Sequence, residues 1–149
     1  HSRGIVVKGE PNMVVRFAHC CSPLPGDKII GYVTRGRGVS IHRADCTNVG
    51  ELLLDEGRII DVEWAQDAKS SYMATIQLIA NERPGVLMDV SQLLVNLNIS
   101  IRAMTAKTDK NNIVTVQLSF DVTNADQLAS IIKNMRKIRS VTEVFRLNV

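Results

Sequence analysis

Tyr72-Met73-Ala74-Thr75-Ile76-Gln77-Leu78-Ile79-Ala80 alternates apolar and polar side chains with the period of two that a half-buried strand requires. Asn81-Glu82-Arg83-Pro84-Gly85 follows as a turn. Val86, Leu87, Val90, Leu93, Leu94 and Leu97 then fall on one stripe of a helix. Downstream, Ile99, Ile101 and Ala103 alternate with Ser100 and Arg102, and Asp109-Lys110-Asn111-Asn112 supplies a hairpin turn. Val114 to Val122 alternates again, with Thr115, Gln117, Ser119 and Asp121 on the polar side. Asn124 can cap a helix that turns Leu128, Ile131, Ile132 and Met135 inward, and Phe145, Leu147 and Val149 alternate in a last strand. The order is βαββαβ. Right-handed crossovers turn it into a four-stranded antiparallel sheet with two helices on one face, the ferredoxin-like arrangement.

Upstream of Tyr72 the composition changes. Eight of the nine glycines precede residue 60, and all three cysteines and all three histidines fall there too. Gln66-Asp67-Ala68-Lys69-Ser70-Ser71 is small and polar, which suits a linker. The expected layout is a domain over 3–65, a linker over 66–71 and a domain over 72–149, in the α+β class. The first domain has short apolar runs at Ile5-Val6-Val7, Met13 to Phe17, Ile29 to Val33, Val39 to Ile41 and Ile59 to Val62. Pro23, Pro25, Gly26, Gly36 and Gly38 punctuate them, so a small β-rich unit is expected. Asp45 can cap a helix through Val49, Leu52 and Leu54 that Gly57 ends. A unit of ~65 residues buries only about 60% of its chain surface and is marginal unless stapled.

At 149 residues, with 45% hydrophobic and 22% charged, the chain has the composition of a globular protein and not of a disordered tail. Nothing approaches the roughly 20 apolar residues of a membrane span. His1-Ser2 reads as a cloning scar on an excised fragment, and no export signal is visible. Three cysteines are an odd number and too few for a disulfide scaffold, so a reducing, cytoplasmic setting with thiols or a metal is expected. A net charge of +3 is too mild to argue for nucleic acid by itself.

His19-Cys20-Cys21 and His42-Arg43-Ala44-Asp45-Cys46 concentrate the metal-ligand chemistry. Zinc takes four N or S ligands in a tetrahedron, and Cys20, Cys21, His42 and Cys46 give that count. His42 and Cys46 are four apart, so a helical turn would project both from one face. Adjacent Cys20 and Cys21 reach one ion only from a turn, which Ser22-Pro23-Leu24-Pro25 makes available. The spacing also suits small buried thiols beside a surface histidine, or a disulfide from Cys20 or Cys21 to Cys46. A catalytic Cys–His pair needs an activated thiolate with an oriented base, and nothing in the sequence marks one. Around the cluster lie Arg16, Lys28, Arg35, Arg37 and Arg43, opposed only by Asp27 until Asp45. Thr34-Arg35-Gly36-Arg37-Gly38 forms a basic, glycine-containing tip suited to phosphate contacts, or a solvated turn with incidental charge.

Cys20-Cys21-Ser22-Pro23-Leu24-Pro25-Gly26-Asp27 and Gly31-Tyr32-Val33-Thr34-Arg35-Gly36-Arg37-Gly38-Val39-Ser40-Ile41-His42-Arg43-Ala44-Asp45-Cys46 together resemble the conserved-cysteine, or zinc-finger, domain of RelA/SpoT homologues. Those enzymes make and hydrolyse (p)ppGpp in the stringent response, and in them an ACT domain follows. The resemblance covers nearly the whole chain. It implies a structural zinc on Cys20, Cys21, His42 and Cys46, and a regulatory fragment with no catalytic residues of its own. It implies docking on the ribosome alongside tRNA, with rRNA contacts from Arg35, Arg37 and Arg43, and control of catalytic domains upstream.

Glu82-Arg83-Pro84-Gly85-Val86-Leu87 resembles the ACT signature, where the family often has Asp in place of Glu82 and Gly in place of Asn98. The likeness implies an amino-acid site at Asn81, Gly85, Val86 and Leu87 with Asn98 and Ile99, usually across a homodimer. The alternative to docking is thus an amino-acid-sensing ACT dimer that tunes (p)ppGpp turnover. RNA recognition by the sheet itself is not expected, because its central strand offers only Phe120 for stacking, on the core-facing side. A freestanding metalloenzyme would need an open metal position, and four closed ligands leave none.

Overall fold

A computed structural model describes residues 4–9, 13–34, 36, 38–52, 58–65 and 71–147. Its packing divides the chain into two units, the second being Ser71–Leu147.

In the first unit, β2 (Val15–Phe17), β4 (Gly38–Arg43), β3 (Ile29–Thr34) and β5 (Ile59–Ile60) form one sheet in that spatial order, while β1 (Ile5–Val7) pairs with β6 (Val62–Trp64). The single run expected over Ile59 to Val62 is therefore two strands, β5 against β3 and β6 against β1. Ile5, Val7, Val15, Val39 and Ile41 are buried as one cluster, with Trp64 packed against it and stacked on Phe17 at 5.7 Å. β4 pairs antiparallel with β3 and parallel with β2. Val39 and Ile41 point into the core, so Ser40, between them, points to the opposite face.

Gly38, at φ 82, is where β4 begins, and a Cβ there would run into the Val14 carbonyl. The helix expected after β4 runs through Val49, where the sequence places it, within the described residues. α1 spans Val49–Leu52, while Leu54 and Gly57 lie outside the described residues. Asp45 does not cap it. Its carboxylate instead takes the Arg43 guanidinium at 2.7 Å.

The second unit realises the expected order: β7 (Tyr72–Asn81), α2 (Val86–Asn96), β8 (Ile101–Thr108), β9 (Ile113–Val122), α3 (Ala125–Met135) and β10 (Val141–Arg146), with Val149 outside the described residues. The strands lie β10-β7-β9-β8 and all pairings are antiparallel. Ala74, Ile76 and Leu78 from β7 and Val116, Leu118 and Phe120 from β9 are buried, as are Val90 and Leu94 of α2 and Leu128 and Ile131 of α3. Phe120 is fully buried, which removes it as a base-stacking platform. Asn124 caps α3 as expected, its side chain accepting from the Gln127 N–H at 2.8 Å.

Two strands depart from simple alternation. A bulge between Ile101 and Ala103 lets Arg102 reach Asp121 and turns Ala103, opposite Ser119, to the outer face. In β10 it is Val144, not Phe145, that reaches the core.

α2 ends in a Schellman motif. The Ile99 N–H donates to Leu94 O at 3.0 Å and the Asn98 N–H to Val95 O at 3.0 Å, with Asn98 left-handed at φ 58. Asn98→Gly should therefore leave urea stability of the second unit unchanged or slightly higher, and Asn98→Ala should cost about 1 kcal/mol. Gly38→Ala should cost roughly 2 kcal/mol or more and lower the first unit's thermal transition alone.

Candidate metal centre

β2 runs into a turn that carries His19, Cys20 and Cys21, closed by the Ser22 N–H donating to Ala18 O at 3.0 Å. Ser22 there is left-handed at φ 42, which lets adjacent cysteines face the same point. β4 delivers His42, and a second turn closed by the Cys46 N–H on Arg43 O at 3.0 Å folds Cys46 back toward it. His42 is thus a strand residue, and a turn rather than the expected helical face brings it to Cys46.

The ligand atoms of Cys20, Cys21, His42 and Cys46 all lie within 4.8 Å of one another. Cys20 Sγ is 3.5 Å from Cys46 Sγ, 3.9 Å from Cys21 Sγ and 3.5 Å from His42 Nδ1, and Cys21 Sγ is 3.9 Å from the same nitrogen. A tetrahedral ion with metal–sulfur bonds of about 2.3 Å and metal–nitrogen bonds of about 2.0 Å has S···S and S···N edges of roughly 3.8 and 3.5 Å. The four side chains therefore fit a tetrahedral metal ion. The three cysteines are free thiols, which excludes the disulfide alternative. His19 is exposed and stands outside the quartet.

The surroundings suit the same role. Cys21 is fully buried, Cys46 is 6% exposed and His42 is 9% exposed. Burial pushes the Cys21 thiol up to about 12, since a lone thiolate there has no solvent. It pushes the His42 imidazole down, toward the neutral form that ligates metals. Burial also raises Cys20, but hydrogen bonds from Asn48, Cys46 and Cys21 outweigh it and hold that thiol below its ordinary value. The Arg43 N–H points at Cys21 Sγ at 3.3 Å, and His42 Nε2 lies 3.3 Å from Ser40 Oγ. Second partners of this kind fix a ligand's tautomer and orientation. Sequence reading missed Ser40 and Asn48, because only the register of β4 and the fold of the second turn bring them to the quartet.

Of the expected RNA contacts, Arg35 and Arg37 lie outside the described residues. Arg43 is described, with a side chain 15% exposed and paired to Asp45.

In the second unit a groove of about 340 Å³ is lined by Glu82, Arg83, Pro84, Gly85, Val86, Leu87 and Met88. Gly85 stands at φ 85 where α2 begins. Arg83 holds the turn, donating from Nε and Nη2 to Arg139 O at 3.1 and 2.9 Å and from Nη2 to Asp89 at 2.7 Å. The Asn81 N–H donates to Ser140 O at 2.9 Å at the end of β7. Asn98 and Ile99 do not join this groove. They follow the far end of α2, eleven residues and so about 16 Å along its axis from Gly85.

A small β-rich domain with a thiolate–imidazole quartet able to hold a metal, followed in sequence by a βαββαβ domain, makes this a two-module chain. Residues 5–65 match the RelA/SpoT RIS domain and residues 68–146 match an ACT domain. The chain is 38% identical over 144 residues to the GTP pyrophosphokinase of Streptomyces coelicolor, covering 97% of this chain and 17% of that protein. It is 35% identical over 144 residues to the bifunctional (p)ppGpp synthase/hydrolase RelA of Mycobacterium tuberculosis, covering 97% of this chain and 20% of that one. The ACT domain of a Chlorobium tepidum GTP pyrophosphokinase is similar in structure, with TM-score 0.48 and 24% identity, over 52% of this chain and all of that one. The chain belongs to the RelA/SpoT family as a RIS domain joined to an ACT domain, the non-catalytic modules of those enzymes. It spans between 17% and 20% of the length of these curated relatives.

Among the described residues, no helix is long and apolar enough to cross a membrane.

Chelation, or Cys46→Ser, should remove the first unit's cooperative transition in calorimetry while the second keeps its own. An unchanged first transition on metal removal would show that the quartet holds itself together as thiols.

Proposed function

We propose that this chain, as domains over 3–65 and 72–149, is the regulatory region of a cytoplasmic (p)ppGpp synthetase/hydrolase. In this reading the first domain is clamped by structural zinc and docks on ribosomal RNA beside tRNA. The second domain assists docking or pairs with a second copy, and together they restrain or release the catalytic domains of the same chain.

The observation that carries the reading is the tetrahedral donor quartet at the foot of the β3–β4 hairpin. A closed quartet of three thiols and one imidazole suits zinc, and it leaves no open position for a reacting water. Cys20, Cys21, His42 and Cys46 would hold the ion, whose chemistry there is structural cross-linking. Its apparent binding free energy, roughly 10–16 kcal/mol in small fingers, offsets the thin core of so short a unit. Arg35 and Arg37, which lie in sequence between β3 and β4, together with Arg43 at the end of β4, would then be the residues that meet a polyanion.

Elemental analysis should find one zinc per chain. Arg35→Glu with Arg37→Glu should weaken ribosome pelleting and reduce the salt slope by about two, one per lost phosphate contact. Arg43 must leave Asp45 to reach a phosphate, so Arg43→Gln should do less. Equal binding and equal slope in the double variant would end the docking role for the tip.

A second reading, an amino-acid-sensing ACT dimer, is favoured by one observation. The Gly85 groove and the Asn98–Ile99 turn sit at opposite ends of α2, so they can share a ligand only across two copies. Backbone N–H groups at the start of α2 would face a ligand carboxylate from one copy, with Asn98 from the other. Calorimetry against the twenty amino acids, with the oligomeric state followed in parallel, should give heat for one of them together with dimer formation. No heat for any of the twenty leaves docking alone.

A further inference from the structure

The polar face of the first unit's sheet holds a cleft of about 280 Å³ lined by Arg16, Phe17, Ala18, His19 and Ser40. Arg16 and Ser40 are register partners across the parallel β2–β4 pair, and the turn that follows β2 adds His19. The lining offers a guanidinium, an imidazole and a hydroxyl, and it contains no carboxylate. The other described arginines of this unit are occupied, Arg43 by Asp45 and Arg58 by Val33 O and the Tyr32 ring. Arg16 and His19 are exposed and make no side-chain hydrogen bond to the described residues.

Ser40 joins this cleft to the metal centre through a count of protons. His42 Nδ1 faces the sulfurs of Cys20 and Cys21, and Nε2 faces Ser40 Oγ at 3.3 Å. With Nδ1 on a metal, Nε2 carries the ring's proton and donates it to Ser40 Oγ. The Ser40 O–H can then no longer donate to His42. It is free to point into the cleft that Ser40 lines, and a hydroxyl already accepting from a metal-bound imidazole is a stronger donor. Three donors around one small cleft select an oxyanion over a cation or an apolar group.

We propose that Arg16, His19 and Ser40 form a phosphate seat, primed by the metal through His42, that takes a backbone phosphate of RNA. This deepens the docking reading and rests on it for the source of the phosphate, while the chemistry of the seat rests on the metal-loaded quartet. It also places a contact on the rigid sheet, beside β4, rather than at the glycine-containing tip.

The test uses the zinc-loaded 149-residue chain. In ¹H–¹⁵N NMR, inorganic phosphate at constant ionic strength should shift the amides of Arg16 to His19 and of Ser40 saturably, and matched chloride should not. Arg16→Gln with His19→Gln should abolish saturation, and Arg58→Gln should leave it intact. Ser40→Ala should weaken phosphate binding and raise the zinc dissociation constant about tenfold or more in chelator competition. Ser40→Thr, which keeps the hydroxyl should the alanine variant lose its fold, should restore both. A flat phosphate titration, or one unchanged in the Arg16/His19 double variant, overturns the seat whatever the ribosome does. In pelleting, the double variant should lose roughly tenfold in affinity and lower the salt slope by about one. Saturable phosphate shifts with unchanged ribosome affinity would overturn RNA as the source. Failure of the unsubstituted chain to pellet, with those shifts intact, would sink the docking reading and leave the seat standing.

Discussion

Everything in the first unit hangs on two turns that must meet. The turn after β2 brings Cys20 and Cys21, and the turn after β4 brings Cys46 beside His42, with ligand atoms no more than 4.8 Å apart. Among the described residues, the local core around them is Cys21, Cys46 and Val49, with Ala18, Cys20 and Ile30 against it. Small side chains of that kind bury too little apolar area to hold two turns together, at ~25 cal/mol per Å². Three buried or half-buried thiols crowded against an imidazole gain little by themselves. Shared by one cation, the same four groups become a cross-link between segments more than twenty residues apart in sequence.

The second unit solves its stability problem in the ordinary way. Two amphipathic helices and the inner face of a four-stranded sheet bury Phe120, Ile76, Leu78 and Leu118 completely. No cross-link is needed there, and its turns are set by hydrogen bonds. Arg83 straps the β7–α2 turn to the α3–β10 turn, and Asn98 closes α2 from a left-handed position. The contrast fits the position of the quartet, with all three cysteines and His42 in the half whose described core is the smaller.

Function follows from what each unit leaves exposed. A rigid small sheet can hold cations against a polyanion without losing much loop entropy on contact. The ferredoxin-like unit instead has a groove at the start of α2 and the Asn98–Ile99 turn after its far end. On the proposed function, the first unit would serve docking and the second would assist it or pair with a second copy.

The periodicities of Tyr72 to Ala80 and Val114 to Val122 were enough to order the second unit, because a side chain's face in a strand depends only on its position along the chain. The donor set was legible for a similar reason: few residue types bind soft metals, and four of them lie in two short segments. Other features depend on partners distant in sequence. The bulge that turns Ala103 outward arises from pairing with β9, and Asp45 leaves its expected cap because Arg43 lies beside it in the folded turn. Ser40 becomes a neighbour of the metal centre only through β4's direction, and Arg16 becomes its neighbour only through a parallel pairing that no local pattern encodes. Sequence alone therefore determined which elements form and which atoms can ligate. Tertiary structure decided which of those atoms meet, since distances across strands follow from register and turns rather than from spacing along the chain.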